Sequence, residues 1–227
     1  MKINFIGHSA FYIEEGNLKA LIDPFLTGNE TTTKSVTDYD SITHIFVTHG
    51  HEDHLGDTIE LAKLSNATVI CNFEITNYLN KFGITTHPMH IGGRTKFEFG
   101  TVKMTPALHG SGILEDGEMI CGGNPCGFVI KTSDASIYHA GDTGLTMDMQ
   151  LLKIEELDLA IVPIGGNFTM DTYDAARAVD FIDPKKVIPI HYNTFPIISA
   201  DPYEFKSLVN TNIEVCILNP GGSIIID

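Results

Sequence analysis

The sequence predicts a mixed α/β fold in which strands outnumber helices. Short apolar runs such as Ile45-Phe46-Val47 recur along the chain between turn-forming residues, which is typical of buried strands. Segments with helical spacing stand between these runs in both halves. The chain has 227 residues, of which 43% are hydrophobic, so it can bury a sizeable core. We therefore expect a single domain over residues 1–227, with helices covering the outer faces of stacked sheets.

The first half of the chain contains most of the predicted strands. Turn signals bound strands over 2–6, 10–14, 19–22, 44–48, 68–71, 95–99 and 101–107. A helix over 58–65 follows Asp57, whose carboxylate can accept hydrogen bonds from unpaired helix amides. A second helix over 74–82 ends at Gly83, because glycine readily adopts the left-handed conformation that closes a helix.

The second half continues the alternation of strands and helices. A helix is predicted over 146–154, and another over 171–182 ends before Pro184 because the residue preceding a proline disfavours helical geometry. The strands of this half are predicted over 126–131, 135–139, 159–163, 187–190, 214–218 and 223–226.

The segment Thr48-His49-Gly50-His51-Glu52-Asp53-His54 is the most informative part of the sequence. It places three imidazoles and a carboxylate together, immediately after a predicted buried strand. Neutral imidazole is the commonest side-chain metal ligand, and nitrogen ligands mixed with carboxylates suit zinc, iron or manganese. On a helix His49 and His51 would point in different directions, whereas an extended turn can aim both at one ion. The segment therefore predicts a metal site.

This motif resembles that of the metallo-β-lactamase superfamily, and further superfamily motifs follow in the same order. They are Thr105-Pro106-Ala107-Leu108-His109, His139-Ala140-Gly141-Asp142-Thr143 and Pro189-Ile190-His191-Tyr192, and an early Leu21-Ile22-Asp23-Pro24 precedes them. The resemblance covers nearly the whole chain. It implies a four-layer αββα sandwich with the metal site at the edge between the two sheets.

Three further segments are similar to one branch of that superfamily. They are Gly7-His8-Ser9-Ala10-Phe11, Gly165-Gly166-Asn167-Phe168-Thr169-Met170 and His191-Tyr192-Asn193-Thr194-Phe195-Pro196. The branch contains small metal-dependent hydrolases similar to the ascorbate phosphate lactonases and, more distantly, to the phospholipase D that acts on N-acyl phosphatidylethanolamine. Asp171 stands where glycine would be expected and adds a negative charge near the expected site.

The resemblance also implies a role for each candidate residue. His49, His51 and His109 would hold one divalent ion, Asp53, His54 and His191 would hold a second, and Asp142 would bridge the two. The expected ion is Zn²⁺, with Mn²⁺ or Fe²⁺ as alternatives. Such a site would use metal-bound hydroxide to hydrolyse a small ester, lactone or phosphate-containing metabolite, with Asp53 also carrying a proton as a catalytic residue. Four residues are expected to bind substrate: His8, Asn167, Thr194 and Phe195. Asp23 is expected to support the metal ligands.

Composition narrows the partners and the compartment. The formal net charge of −15 and the lack of a basic cluster argue against nucleic acid as a partner. No apolar stretch approaches the roughly 20 residues that span a bilayer, and no leader-like segment is seen, so we expect a cytoplasmic protein without a membrane partner. Four cysteines are expected to remain reduced thiols. The expected partner is a small-molecule substrate, and the sequence leaves a homo-oligomer open.

Three other functions remain open from the sequence. A phosphodiesterase or nuclease would use the same metals, although the acidic charge argues against nucleic-acid binding. A non-enzymatic metal or ligand sensor would share the fold, because function depends on the site and not on the fold. A redox enzyme would carry iron in place of zinc. β-Lactam hydrolysis is not expected, because nothing in the sequence indicates secretion.

Overall fold

The first of two large sheets is built from the N-terminal half and one C-terminal strand. The structure, a computed structural model, describes residues 1–226. Strands are numbered in chain order, and the first sheet has seven of them in the order β16-β1-β2-β3-β4-β5-β6. Their bounds are β1 Lys2–Gly7, β2 Ala10–Glu15, β3 Leu18–Ile22, β4 His44–Phe46, β5 Thr68–Asn72, β6 Thr86–Met89 and β16 Ser223–Ile225.

The second large sheet is built from the C-terminal half and also has seven strands. Its order is β15-β14-β13-β12-β11-β8-β7, in which the strands from β12 to β15 run parallel. The bounds are β7 Arg94–Phe97, β8 Gly100–Pro106, β11 Cys126–Lys131, β12 Ser136–His139, β13 Leu159–Pro163, β14 Lys186–Ile190 and β15 Glu214–Val215.

Three apolar clusters hold the layers together. The central cluster joins the inner faces of the two sheets and includes Phe11 and Phe46 from the first and Phe128 from the second, all fully buried. The other two clusters lie on the outer faces of the sheets, beneath the helices. Alternation of side chains along each strand lets both faces of a sheet be covered in this way. The predicted αββα sandwich is therefore confirmed.

The helices cover the outer faces but differ in detail from the prediction. Their bounds are α1 Glu52–Leu55, α2 Thr58–Ser65, α3 Phe73–Asn80, α4 Thr172–Ile182 and α5 Pro202–Leu208. The segment predicted as a helix over 146–154 is a 3₁₀ helix, Met147–Glu155, and shorter 3₁₀ turns cover Val36–Tyr39 and Pro196–Ile198. The sequence prediction missed α1, α5 and the edge strand β6.

The helix caps are set by tertiary contacts as much as by local sequence. Asp57 precedes α2 as predicted but does not cap it, because its Oδ2 accepts hydrogen bonds from the backbone amides of Leu26 and Thr27, both at 2.9 Å. Asn72 caps α3, and Asp171 caps α4 by accepting from the amide of Asp174 at 2.8 Å. Asp171 thus has a structural use at the helix terminus.

A separate β-hairpin that was not predicted lies outside both large sheets. It consists of β9 (Gly112–Glu115) and β10 (Glu118–Cys121), which pair only with each other among the described residues. Asp116 and Gly117 form the turn with φ values of 52° and 82°. Positive φ at both turn residues is the geometry of a type I′ turn, for which Asp-Gly is a strong signal.

One carboxylate on the outer face of the second sheet is surrounded by three cations. Glu155 is 5% exposed and accepts hydrogen bonds from Arg94 at 2.6 Å and Lys103 at 2.9 Å, while Lys131 Nζ lies 3.0 Å from it. Burial alone would raise the pKa of Glu155, but these three cations lower it to about 2. Glu155 is therefore ionised throughout the neutral range.

None of the helices in residues 1–226 combines the length and the apolar character that a membrane crossing requires. All four cysteines are unpaired, and Cys71 and Cys126 are buried.

Candidate metal centre

The predicted ligands lie at one edge of the sandwich because each follows the carboxyl end of a strand. The segment 49–54 follows β4. The neighbouring strand β3 runs parallel to β4, and Asp23 follows β3. His109, Asp142 and His191 follow β8, β12 and β14 of the other sheet. Loops at the carboxyl ends of neighbouring strands are the usual place for a ligand site in α/β sheets.

The structure brings the predicted ligands together in overlapping groups. His49, His51 and His109 form one group, and Asp53, His54 and His191 form another that also contains His8. Within each group the possible ligand atoms all lie within 4.8 Å of one another. These are the two sets that the resemblance assigned to separate ions.

Asp142 lies between the two groups. Its Oδ2 is 3.6 Å from His109 Nε2 on one side and 2.9 Å from His191 Nε2 on the other, and its Oδ1 is 3.3 Å from His54 Nε2. It also forms a third ligand group with His49 and His54. A carboxylate in this position can reach a cation held by either group, which is what a bridging ligand requires.

The centre contains buried polar atoms that have no hydrogen-bond partner. They are His54 Nε2, Asp142 Oδ1 and His191 Nε2, and the other ring nitrogen of His191 also lacks a partner. The close approach of His191 Nε2 to Asp142 therefore occurs without a hydrogen bond. A buried polar atom without a partner costs roughly 1–3 kcal/mol, and several at one point indicate that a bound group is expected there. Imidazole nitrogens and carboxylates fit a zinc-like divalent cation.

Asp23 and Thr48 determine which ring nitrogens face the centre. The buried Asp23 carboxylate accepts from the Thr48 amide at 2.8 Å, from the Thr48 hydroxyl at 2.7 Å and from His54 Nδ1 at 2.8 Å. Because the Thr48 hydroxyl has one hydrogen and donates it in the bond to Asp23, it can only accept the hydrogen bond from His49 Nδ1 at 2.9 Å. In their neutral forms both rings thus carry the proton on Nδ1, which directs the Nε2 lone pairs into the centre, where His49 Nε2 lies 3.0 Å from His51 Nδ1.

The electrostatics of the centre favour a bound positive charge. Burial lowers the pKa of His49 well below 6.5, so this ring is neutral, as a metal ligand must be. Burial also disfavours the charged form of His54, but the carboxylates of Asp142 and Asp23 outweigh it and raise the pKa of His54 well above 6.5. The negative potential around His54 would equally stabilise a divalent cation.

His8 holds Asp53 in place. Its Nε2 donates to Asp53 Oδ2 at 3.1 Å, and its Nδ1 accepts from the Thr194 hydroxyl at 2.9 Å. Burial lowers the pKa of His8 to about 4, so the ring is neutral and can make this donor–acceptor pair. Because both nitrogens are engaged and the side chain is fully buried, this arrangement does not support the predicted contact of His8 with substrate.

His139 supports the loop that carries Asp142. Its Nε2 donates to the Ser9 carbonyl at 3.0 Å, and its Nδ1 accepts from the Gly141 amide at 3.1 Å. Burial lowers the pKa of His139, which favours the neutral tautomer that these two bonds need. The side chain thereby ties the loop after β12 to the loop after β1.

A cavity of about 340 Å³ opens beside Asp53 and His51. Of the four predicted substrate-binding residues, Phe195 lines it, whereas His8, Asn167 and Thr194 are not among the lining residues. Asn167 is exposed on the loop before α4, with a φ of 48°. The remaining lining residues, which sequence reasoning missed, are Phe25, Glu52, Gly112, Leu114 and Met119.

Part of this cavity could have been found from the sequence. The Asp116-Gly117 pair, flanked by Ile113-Leu114 and Met119-Ile120, is a hairpin signal of the strongest short-range kind. Phe25 carries no comparable signal. A slightly larger cavity of about 380 Å³, lined by Ile91, Met104, Tyr138 and Leu152 among others, contains none of the predicted metal ligands.

Comparison with known proteins agrees with the geometry. The family model for the beta-lactamase superfamily domain matches residues 19–192. A UPF0173 metal-dependent hydrolase from Alkaliphilus metalliredigens is 61% identical over 219 residues, covering 96% of this chain and 97% of that protein. Another from Carboxydothermus hydrogenoformans is 50% identical over 228 residues and covers both chains completely.

A solved structure shows the same architecture. Igni18, a metallo hydrolase from the hyperthermophilic archaeon Ignicoccus hospitalis, superposes with a TM-score of 0.89 at 35% identity, covering 98% of this chain and 97% of that one. The extent and level of these matches establish the family. The chain belongs to the beta-lactamase superfamily, within the group of UPF0173 metal-dependent hydrolases.

Proposed function

We propose that this protein is a metal-dependent hydrolase that holds two divalent cations, most simply Zn²⁺, and acts on a small ester, lactone or phosphate-containing metabolite. One observation carries the proposal. Two groups of ligand atoms converge on Asp142, and three buried polar atoms there, His54 Nε2, Asp142 Oδ1 and His191 Nε2, lack hydrogen-bond partners. The names of the relatives, which are metal-dependent hydrolases, support the same reaction class.

The ligand sets follow from the grouping. His49, His51 and His109 would hold one cation, Asp53, His54 and His191 would hold the other, and Asp142 would contact both. Divalent cations bound there would polarise the scissile bond and make a water molecule acidic enough to supply a nucleophile at neutral pH.

The chain's own residues prepare this chemistry in two ways. The Asp23 and Thr48 hydrogen bonds keep the Nε2 lone pairs of His49 and His54 directed at the centre. His8 fixes Oδ2 of Asp53, whose side chain is 29% exposed and lines the cavity. In this position Asp53 can accept a proton from the attacking water and deliver it to the leaving group.

The proposal is tested by elemental analysis followed by a hydrolysis screen. Protein purified without added metal is expected to carry close to two divalent ions per chain. A screen over lactones, thioesters, carboxylic esters and phosphodiesters should find turnover that chelation abolishes and Zn²⁺ or Mn²⁺ restores. Asp53→Asn should lower turnover further than the accompanying loss of metal explains, because the proton carrier is gone.

Two outcomes would overturn the proposal. Chelated, metal-free protein that hydrolyses its best substrate as fast as the loaded protein would exclude a metal-dependent reaction. Full metal occupancy with no turnover across the screen would favour a metal or ligand sensor instead.

A further inference from the structure

The cavity beside the metal centre has apolar walls contributed by three separate parts of the chain. Phe25 follows β3, Phe195 follows β14, and Leu114 and Met119 come from the hairpin β9–β10. Its volume of about 340 Å³ is at the small end of the range for ligand pockets. The cavity can therefore receive a small group that extends from the ligand cluster.

The hairpin presents one apolar face to this cavity and buries the other. Leu114 pairs with Met119 across the hairpin and Ile113 pairs with Ile120, so the two pairs point to opposite sides. Ile113 is 2% exposed in the outer core of the first sheet, whereas Leu114 is 49% and Met119 69% exposed. Two large apolar side chains are thus held in solvent at the entrance of the site.

The base of the hairpin is fixed to the ligand loop. The Ser111 hydroxyl accepts from the Gly50 amide at 3.1 Å and donates to the Gly122 carbonyl at 2.8 Å. Ile113 also packs so closely on Gly50 that a Cβ at Gly50 would lie 2.6 Å from its side chain. The position of Leu114 and Met119 is therefore set relative to His49 and His51.

The side chains that line the cavity include no lysine or arginine to pair with an anion. The ionisable lining residues other than His51 are Glu52 and Asp53, and no lysine or arginine is among the residues that line it. The chain as a whole carries a formal charge of −15. Cations held by His51 and Asp53 would offset the charge of Asp53, but an anionic group farther into the cavity would find Glu52 and no lysine or arginine among the lining residues.

We propose that this cavity binds an uncharged apolar group, an alkyl or aryl acyl chain, attached to the scissile bond of the substrate. Leu114 and Met119 set the length of chain that is accepted. The inference rests on the proposed function, because the scissile bond must lie at the ligand cluster for the chain to reach the cavity. It narrows the substrate to esters, thioesters or lactones with an apolar tail, as opposed to metabolites whose distal group is a phosphate or carboxylate.

A series of straight-chain alkyl hydroxamates tests the inference without requiring turnover. A hydroxamate chelates zinc, so its tail would extend from the ligand cluster. With zinc-loaded protein, isothermal titration calorimetry from acetohydroxamate to octanohydroxamate should show binding that becomes about fourfold tighter for each methylene that enters the cavity. A hydroxamate of equal length that ends in a carboxylate should bind more weakly than its alkyl counterpart.

Matched variants locate the effect. Leu114→Thr and Met119→Thr keep residues suited to a strand but remove apolar surface, so the loss of affinity should grow with chain length while metal content stays at the wild-type level. Ile154→Thr is the control, because Ile154 is 77% exposed and lies in the 3₁₀ helix on the outer face of the other sheet. Ile154→Thr should leave the affinities for the whole hydroxamate series unchanged.

The outcomes separate this inference from the proposed function. Binding that does not depend on chain length, tighter binding of the carboxylate tail, or no binding of any hydroxamate to fully zinc-loaded protein would overturn the inference. Protein that takes up no metal would overturn the proposed function. If the protein binds long hydroxamates tightly but hydrolyses no substrate, the inference about the apolar cavity would stand and the proposed hydrolase activity would be refuted.

Discussion

Replacing Asp23 with asparagine tests whether hydrogen-bond direction prepares the ligand histidines. Asp23 is fully buried and accepts three hydrogen bonds, two from Thr48 and one from His54. Asparagine has nearly the same shape and tolerates the left-handed φ of 45° found here. It offers one acceptor oxygen and one NH₂ donor in place of two acceptors.

Either orientation of the new amide conflicts with its neighbours. If its oxygen accepts from the Thr48 amide, its NH₂ group faces His54 Nδ1 and the Thr48 hydroxyl. His54 and, through the hydroxyl, His49 would then shift their protons to Nε2, which blocks the lone pairs needed for a metal. If the amide is flipped, NH₂ meets the Thr48 N–H and two donors oppose each other.

The expected effects are large enough to measure. Hydrogen bonds to a charged acceptor are worth roughly 1.5–3 kcal/mol each, so losing two of the three should destabilise the metal-free fold by a few kcal/mol. Loss of a hydrogen-bond partner behind a ligating histidine typically weakens metal affinity 10–100-fold, and here two histidines share that partner. We therefore expect a decrease near the upper end of that range.

Zinc affinity measured by competition with a chelating dye, together with thermal unfolding of the chelated protein, checks both effects. Asp158→Asn is the matched control, because Asp158 also accepts a backbone hydrogen bond, from Ser136 at 2.8 Å, but lies at the opposite end of the sheet. It should lower stability and leave zinc affinity unchanged. Wild-type zinc affinity in Asp23→Asn would refute the argument from proton positions.

Three further predictions follow from the same structure. Asp142→Ala should remove more bound metal than His8→Ala, as measured by elemental analysis, and equal metal content in Asp142→Ala and wild type would exclude the bridge. Glu155→Gln should destabilise the chelated protein at pH 7 by up to about 3 kcal/mol, reduced by solvent around the three partly exposed cations. The pKa of Glu155 is lowered from 4.5 to about 2, so its stabilisation is complete above pH 4.5 and is lost as the pH falls toward 2. The difference in free energy of unfolding between wild type and Glu155→Gln, measured with urea, should therefore be smaller at pH 3 than at pH 7. An unchanged difference would contradict this explanation. Gly141→Ala should cost about 1–3 kcal/mol more than Gly83→Ala in thermal unfolding. Both glycines have positive φ, but only the Cβ at Gly141 would meet a backbone carbonyl, at 2.7 Å, and equal costs would argue against that contact.

The elements that the sequence predicted well are those with strong local signals. The strands before His49 and His191 contain the apolar runs Ile45-Phe46-Val47 and Val187-Ile188-Pro189-Ile190, and the structure has β4 and β14 at those places. The hairpin was missed even though Asp116-Gly117 marks its turn, because its strands are short and half exposed. Asp57 shows the opposite error. It was predicted to cap α2, but its carboxylate accepts hydrogen bonds from the backbone amides of Leu26 and Thr27.

Local patterns in the sequence were enough to predict the types of the candidate metal ligands, their order along the chain and their place after buried strands. These follow from the chemistry of imidazole and carboxylate and from patterns that span only a few residues. The tertiary structure was needed to show that Asp142 lies between the two groups, as the family resemblance implies, that His8 hydrogen-bonds to Asp53, and that Phe25, Phe195 and the hairpin enclose one cavity. The physical reason is that these contacts join residues far apart in the sequence, and some of them, such as His54 with Asp142, link loops from different sheets. Their positions depend on how two sheets pack and twist together, which no local pattern encodes.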